Sequence, residues 1–258
     1  MKSSKRKIIY AVGIGPGNLN MITPEAKNII EKCEIIAGYS NYIKQIMPLI
    51  SENKEIIQSG MRGEIDRCTQ ALDKVLEGKS VAVISSGDAG IYAMGGLIAE
   101  LIEYHQKYSE IEVLSVAGVT ASSAAAAVLG APLMNDFAVL SLSDLLTPRE
   151  LILKRIAGIA SSGLVCCLYN PGSIKRRDLL EYCIGKFREI QGDNIYVGIV
   201  WNATKENQAT FVCKIKDFPF DKINMNTMVI IGNEFTVYKN GKLFTTRGYC
   251  EKYYDKNN

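Results

Sequence analysis

Histidine is almost absent from this chain, since His105 is the only one among 258 residues. A single histidine cannot form a multi-histidine metal site, nor can it support a catalytic group that needs a second histidine. Any chemistry must therefore depend on carboxylates, hydroxyls, backbone groups or a reagent that the protein binds.

The chain also lacks closely spaced cysteine pairs and has only a small net charge. The seven cysteines contain no C-x-x-C pair and are odd in number, which predicts reduced, mostly buried thiols and no metal site. The balance of 30 basic and 27 acidic residues gives a net charge of only +3, too weak to indicate a nucleic-acid partner. A hydrophobic fraction of 47% excludes disorder as the main state.

Long hydrophobic runs are missing as well. The apolar residues 8–12 after the basic start are too few for a secretory signal. The charge-free run Val113–Asn135 is long enough to span a bilayer, but it is rich in alanine, glycine and serine. We interpret it as a strand end, a turn and a packed small-residue helix, and we expect a cytoplasmic protein with no membrane contact.

Short β-type runs alternate with helical patterns, which predicts an α/β fold with a mainly parallel sheet. Predicted strands are 8–12, 34–37, 80–85, 111–115, 137–142, 164–169, 195–201, 209–213 and 227–231. Predicted helices are 24–33, 64–76, 91–104 and one from a capping box at Thr147 and Glu150 to about residue 160. The second half is more mixed, with its last strands placed for antiparallel pairing, so we divide the chain into domains 1–116 and 117–258.

A first glycine cluster, Gly13–Gly17, directly follows a predicted strand. A dinucleotide-binding loop would have glycine where Asn18 stands, and Pro16 removes an N–H donor from the turn. The cluster thus argues against a nicotinamide cofactor, and a tight turn at a sheet edge remains the plain alternative.

Two further clusters of small residues follow later strands. In the first, Ser85–Tyr92, the Asp88 carboxylate either contacts a ligand at the strand end or caps the helix predicted from Ile91. The second, residues 117–124, suits either a small-molecule site or close helix packing.

Taken in order, these segments resemble the tetrapyrrole methylases. The resemblance rests on VGIGPG (12–17), GMRGE (60–64), SSGDAGIYAM (85–94), AGVTASSAAAAVLGAPLMNDFAVLSLSDLLTP (117–148), LYNPGS (168–173) and RGY (247–249). It covers nearly the whole chain and is strongest in the segment 129–148. Ala89 and Ala117 stand where the family usually has proline, and Asn135 stands where we expect histidine, which leaves a histidine-based proton-transfer role vacant.

The resemblance implies a homodimer of two-domain α/β subunits that bind S-adenosyl-L-methionine in a cleft and release S-adenosylhomocysteine. By motif, the donor-binding residues would be Pro16, Gly87, Asp88, Ile91, Thr120, Ala121, Asn170, Ala203 and Thr227. Such a donor brings its own leaving group, so the scarcity of histidine is no obstacle to the reaction.

The closest branch of the family implies methylation of C-17 of precorrin-3B or cobalt-factor III, with ring contraction, in cobalamin biosynthesis. Arg62, Arg176 and Arg247 are candidates to pair with substrate carboxylates, and Asp144 and Glu64 are candidates for proton transfer. The alternatives are methylation at another corrin position or of uroporphyrinogen III, an rRNA nucleotide or a diphthine precursor, and a non-catalytic tetrapyrrole-binding protein.

Overall fold

The computed structural model describes residues 6–172 and 177–254. The chain divides into two compact units, Met1–Ala121 and Ser122–Asn258, and each is built around its own sheet. We describe the two units separately.

The first unit alternates strands and helices from its start. Its elements are β1 (Lys7–Gly13), α1 (Pro24–Lys32), β2 (Ile35–Tyr39), α2 (Ser40–Ile46), β3 (Glu55–Ser59), α3 (Glu64–Leu76), β4 (Val81–Ser85), α4 (Met94–Tyr104) and β5 (Ile111–Val116). The strands form one parallel sheet in the order β3-β2-β4-β1-β5. Because all strands run the same way, the loops that follow them lie along one edge of the sheet.

Both faces of this sheet are covered, which explains the continuous apolar strands. Every residue of β4 is buried, and side chains from alternate positions enter two separate clusters. Leu72 and Ile98 from α3 and α4 pack on one face, whereas Ile30 and Ile43 from α1 and α2 pack on the other.

The second unit has a mixed sheet and a small additional one. Its elements are β6 (Gly130–Ala131), β7 (Phe137–Ser141), α6 (Arg149–Ser162), β8 (Val165–Tyr169), α7 (Arg177–Gln191), β9 (Tyr196–Trp201), β10 (Ala209–Lys214), β11 (Thr227–Ile231), β12 (Thr236–Lys239), β13 (Lys242–Thr245) and α8 (Tyr249–Tyr253); α5 (Ala121–Leu129) begins where the first unit ends. The main sheet has the order β10-β9-β11-β8-β7, in which only β7 and β8 are parallel.

These elements confirm the predicted α/β class, the parallel first sheet and the antiparallel pairing of β9, β10 and β11. The run 113–135 contains the end of β5, a turn and α5, as interpreted. No helix in the described ranges is long and apolar enough to cross a membrane. The segment after β13 contains the short exposed helix α8, and residues 255–258 lie outside the described part.

Two helix starts differ from the prediction. The helix predicted from Ile91 begins at Met94, because Tyr92 has a φ of 52°, in the left-handed region that a helix cannot continue through. The proposed capping box is wrong: the N-cap of α6 is Pro148, whose carbonyl accepts hydrogen bonds from Leu151 N and Ile152 N, so Thr147 lies one residue too early.

Four strands were not predicted, namely β3, β6, β12 and β13, and β6 has only two residues. The strand β3 is short and half-exposed, and β12 and β13 form a hairpin. The turn of that hairpin is Asn240–Gly241, with φ values of 52° and 73°. This Asn-Gly pair is the strongest short-range hairpin signal in the sequence, so the turn could have been found.

Candidate functional site

Three glycine-containing loops meet at one edge of the first sheet. They follow β4, β1 and β5, which are neighbours in that sheet. Gly15 and Gly87 form an isolated antiparallel bridge, in which Gly15 N donates to Gly87 O (3.1 Å) and Gly87 N donates to Gly15 O (2.8 Å). The loops after β1 and β4 are therefore joined through their backbones.

The loop after β5 packs so closely on the other two that side chains are excluded. A Cβ atom on Gly118 would lie 2.1 Å from the Gly87 carbonyl oxygen, and one on Gly13 would lie 2.8 Å from Gly118 N. Such distances leave no room for a methyl group against backbone atoms. The glycines are thus required by loop-to-loop contact, which supports the tight-turn alternative for the first cluster.

Asp88 joins two of these loops through its carboxylate. Its Oδ1 accepts a hydrogen bond from Gly90 N (2.8 Å), and its Oδ2 accepts one from Gly118 N (2.9 Å). The alternative that Asp88 caps the following helix is wrong, because α4 starts at Met94 and its N-cap, Ala93, has no side-chain cap bond. Each carboxylate oxygen retains a second acceptor position, so a half-buried Asp88 can also accept from a ligand.

The other first-unit residues of the predicted donor site lie in or beside these loops. Pro16 is buried in the loop after β1, and Ile91 N donates to Asp88 O (3.4 Å). A Cβ atom on Gly87 would lie 3.7 Å from Thr120 Cα and 3.8 Å from Ala121 N, at ordinary contact distance. The structure thus brings together all six of the first-unit residues that the resemblance assigned.

The loop after β3 carries two other predicted residues and lies two strands away from β4 in the same sheet. Arg62 is exposed and has a φ of 68°, and Glu64 begins α3. The Glu64 Oε1 atom accepts a hydrogen bond from Arg62 N (3.3 Å). Glu64 therefore shapes the loop that presents the Arg62 guanidinium to solvent.

The second-unit residues of the predicted donor site lie at one edge of the main sheet. Asn170 follows β8 with a φ of 55°, and its amide donates to Ser141 Oγ (2.9 Å) at the end of β7. Thr227 starts β11 and pairs in register with Trp201, two residues before Ala203. Since β11 is antiparallel to β8 and β9, its first residue lies at the edge where those two strands end.

Thr204 is a residue of this edge that the sequence did not single out. Its φ is 67°, which is rare for a β-branched residue, and its buried Oγ1 has no hydrogen-bond partner among the described residues. The backbone is held there by Thr204 N, which donates to Gln208 Oε1 (2.7 Å). Nothing in a threonine's sequence context signals a positive φ.

The remaining predicted residues fall elsewhere. Asp144 is half-buried in the segment after β7, and Arg247 is exposed after β13. Arg176 lies outside the described residues. Asn135, where histidine was expected, accepts a hydrogen bond from its neighbour Asp136 N through Oδ1 (2.9 Å).

The six thiols other than Cys250 are buried, in agreement with the sequence. Burial raises the pKa of Cys33 and Cys68 to about 11 and that of Cys167 to about 12, so these thiols stay protonated and unreactive near neutral pH. Within residues 6–172 and 177–254, no cluster of three or more histidine, cysteine, aspartate or glutamate side chains could hold a metal ion.

Comparison with known proteins gives a consistent result. A family model described as Tetrapyrrole (Corrin/Porphyrin) Methylases matches residues 8–219. The chain is 39% identical to the "Probable cobalt-factor III C(17)-methyltransferase" of Salmonella typhimurium, over 94% of this chain and 99% of that protein. It is 32% identical to the "Precorrin-3B C(17)-methyltransferase" of Sinorhizobium sp, over 94% of this chain and 97% of that protein. Among solved structures, that of the methyltransferase CobJ superposes with a TM-score of 0.88 at 32% identity, covering 93% of this chain and 99% of the other.

Proposed function

Because this chain belongs to the tetrapyrrole (corrin/porphyrin) methylases, we propose that it transfers a methyl group from S-adenosyl-L-methionine to C-17 of a precorrin-3B-type macrocycle, with ring contraction, in cobalamin biosynthesis. The observation that carries the proposal is the 39% identity to a protein named for this position of methylation, over 94% of this chain. The structural likeness to CobJ over 93% of the chain supports it further.

Cobalt-factor III is our preferred substrate over the metal-free precorrin-3B. The support is the higher identity to the Salmonella protein named for the cobalt form, 39% against 32% for the Sinorhizobium protein named for precorrin-3B. In this proposal the cobalt ion belongs to the substrate and needs no ligand from the protein.

The described residues fit S-adenosylmethionine by their chemistry. At the first sheet, the contacts among Gly13, Gly87 and Gly118 keep side chains away from the loops, and Asp88 has acceptor capacity left for a hydroxyl or an ammonium group. At the second sheet, the unpartnered Thr204 Oγ1 offers a hydrogen bond beside Ala203. A buried hydroxyl without a partner is costly unless a ligand satisfies it, and the bound donor would do so.

When bound, the donor supplies a methyl group on a positively charged sulfur and leaves as S-adenosylhomocysteine. The protein's task is then to hold the reactants and exclude water, which requires rigid loops more than a reactive side chain. The Gly15–Gly87 bridge and the Asp88–Gly118 hydrogen bond provide that rigidity. We also propose that Asn170, Ala203 and Thr227 contribute to donor binding from the second unit.

Substrate recognition would depend on arginines that pair with the acetate and propionate groups of the macrocycle. Arg62 is the best supported of the three candidates, because it is exposed on a loop that hydrogen bonds hold in place. Arg247 and Arg176 stay predictions. For proton transfer during ring contraction, Asp144 and Glu64 both stay candidates, and the Glu64 carboxylate also accepts a hydrogen bond from Arg62 N.

The test is methyl transfer by the purified protein from donor labelled in the methyl group, with cobalt-factor III and precorrin-3B assayed in parallel. We expect the label in the tetrapyrrole, at a higher kcat/KM for the cobalt form. A shift of the tetrapyrrole spectrum without consumption of donor would instead indicate a binding protein. Equal labelling of both substrates would contradict the preference for cobalt.

The resemblance also implies a homodimer located in the cytoplasm, and both stay proposals. Sedimentation equilibrium at micromolar protein concentration tests the first. A mass equal to the 28.4 kDa of one chain would contradict it.

A further inference from the structure

Arg67 on α3 is a buried cation that the proposed reaction does not yet use. It is 3% exposed, and its Nε has no hydrogen-bond partner in the part of the chain that the structure describes. None of the ion pairs found at 4.0 Å or less among the described residues includes its guanidinium. Because a buried charge without a counter-charge opposes folding, an apolar residue would suit stability better here.

The contacts of Arg67 all lead to loop ends. Its Nη1 donates to Ser59 Oγ at the end of β3 and to Gly63 O (3.5 Å), the residue that caps α3. Its Nη2 approaches Met94 Sδ (3.7 Å) at the first residue of α4. One side chain thus contacts both ends of the segment Ser59–Gly63 and also the helix that follows the Asp88 loop.

The segment Ser59–Gly63 is held at its ends and open at its tip. Gly63 O also accepts a hydrogen bond from Ser59 Oγ (3.2 Å). A Cβ atom on Gly63 would lie 2.5 Å from Ser59 Oγ, so the two ends of the segment are in close contact. At the tip, Met61 is 74% exposed, Arg62 has its φ of 68°, and a Cβ on Gly60 would meet no atom within 4 Å. The hydrogen bonds at the ends therefore determine where the Arg62 side chain is presented.

We propose that Arg67 is a positioning residue, which fixes the segment Ser59–Gly63 so that Arg62 meets a carboxylate of the tetrapyrrole substrate. The inference rests on the proposed function, because it assumes a polycarboxylate ligand for Arg62. Glu64, the first residue of the same helix, reinforces the arrangement, since its carboxylate accepts a hydrogen bond from Arg62 N. Lysine at this position would keep the charge but could not donate in two directions from a planar group.

The test uses Arg67→Met, Arg67→Lys and Ser59→Ala, with Arg155→Met as the matched control on an exposed position of α6. Arg67→Met should fold and melt no lower than the wild type, because it removes an uncompensated charge. Amide hydrogen exchange at residues 60–62 should become about tenfold faster, and KM for the tetrapyrrole should rise about tenfold, the cost of losing one aligned hydrogen bond to a charge. The donor dissociation constant should change less than about twofold, and Arg155→Met should match the wild type in every measurement.

A double-mutant cycle that combines Arg67→Met with Arg62→Met distinguishes a positioning role of Arg67 from a general structural role. If Arg67 acts through Arg62, then Arg67→Met should raise KM no further in the Arg62→Met background. Ser59→Ala should show the same dependence on Arg62. An additive rise in KM, or unchanged amide exchange at residues 60–62, would overturn the inference. If the wild type methylates no tetrapyrrole, the proposed function fails and the Arg62 assignment with it, whereas the exchange measurement still decides whether Arg67 holds the segment.

Discussion

Replacing Asp88 by asparagine tests the structural account of the donor site most directly. The carboxylate accepts two backbone hydrogen bonds, from Gly90 N at 2.8 Å and from Gly118 N at 2.9 Å. Asparagine has the same shape but only one accepting oxygen, so one N–H group must face an amide NH2 instead. Hydrogen bonds to a charged group contribute about 1.5–3 kcal/mol, and the lower end applies because Asp88 is half-buried.

A loss of about 1.5 kcal/mol corresponds to a fall in Tm of about 3–6 °C for a chain of this size. If the carboxylate also accepts a hydrogen bond from the donor, affinity for S-adenosylmethionine should fall by about tenfold or more. Calorimetry measures both quantities, by thermal scan and by titration. The matched control is Glu100→Gln, which removes an exposed carboxylate from α4 and should change neither.

The two measurements also separate two mechanisms. A lower Tm together with weaker donor binding agrees with an Asp88 that both joins the loops and contacts the donor. A lower Tm with unchanged donor affinity would show that Asp88 only joins the loops. Unchanged values for both would refute the reasoning altogether, because the hydrogen bonds to Gly90 and Gly118 would then contribute nothing.

Other predictions concern packing, thiols and acid stability. Gly118→Ala should abolish donor binding and destabilise the protein, because its Cβ would lie 2.1 Å from the Gly87 carbonyl oxygen. The control is Gly158→Ala on α6, where a Cβ would meet no atom within 4 Å, and it should stabilise the protein by about 0.5–1 kcal/mol. Iodoacetamide should label only Cys250 in the native protein, as mass spectrometry would show, and labelling of a second thiol would contradict the burial of the other six. The hydrogen bond from Lys79 lowers the pKa of Glu34 from 4.5 to about 2. The ionised Glu34 carboxylate therefore stabilises the folded protein fully above about pH 4.5, and this contribution is lost as the pH falls towards 2. Glu34→Gln should therefore flatten the fall of Tm over that range, and an unchanged slope would show that the pair contributes nothing.

Much of the fold could be predicted, because its elements have local causes. The N-terminal turn of α1 is an example: Thr23 accepts a hydrogen bond from Ala26 N through its hydroxyl (3.2 Å), and Pro24 is the first helical residue. The buried strands β4 and β11 also stand out as uninterrupted apolar runs. By contrast, β3 was missed because only one of its five residues is buried, so no apolar pattern marks it.

The residues of the candidate site could be predicted from the sequence, but the contacts among them could not. The glycine clusters indicated close backbone approach, and the structure places them at the ends of β1, β4 and β5. The double role of Asp88 was not visible, because its partner Gly118 is thirty residues away in the sequence. Thr204 was missed for a similar reason: a positive φ at a threonine is imposed by the surrounding loop and contradicts the residue's own preference.

The sequence alone determined most of the strands and helices, the α/β class and, through its resemblance to the tetrapyrrole methylases, the family. These follow from local periodicity, from turn residues and from the order of short motifs. Only the tertiary structure decided that Gly13, Gly87 and Gly118 touch, that Asp88 joins two loops and that Arg67 is buried. Those properties depend on which strands lie side by side, and pairing between distant segments leaves no local signal in the chain.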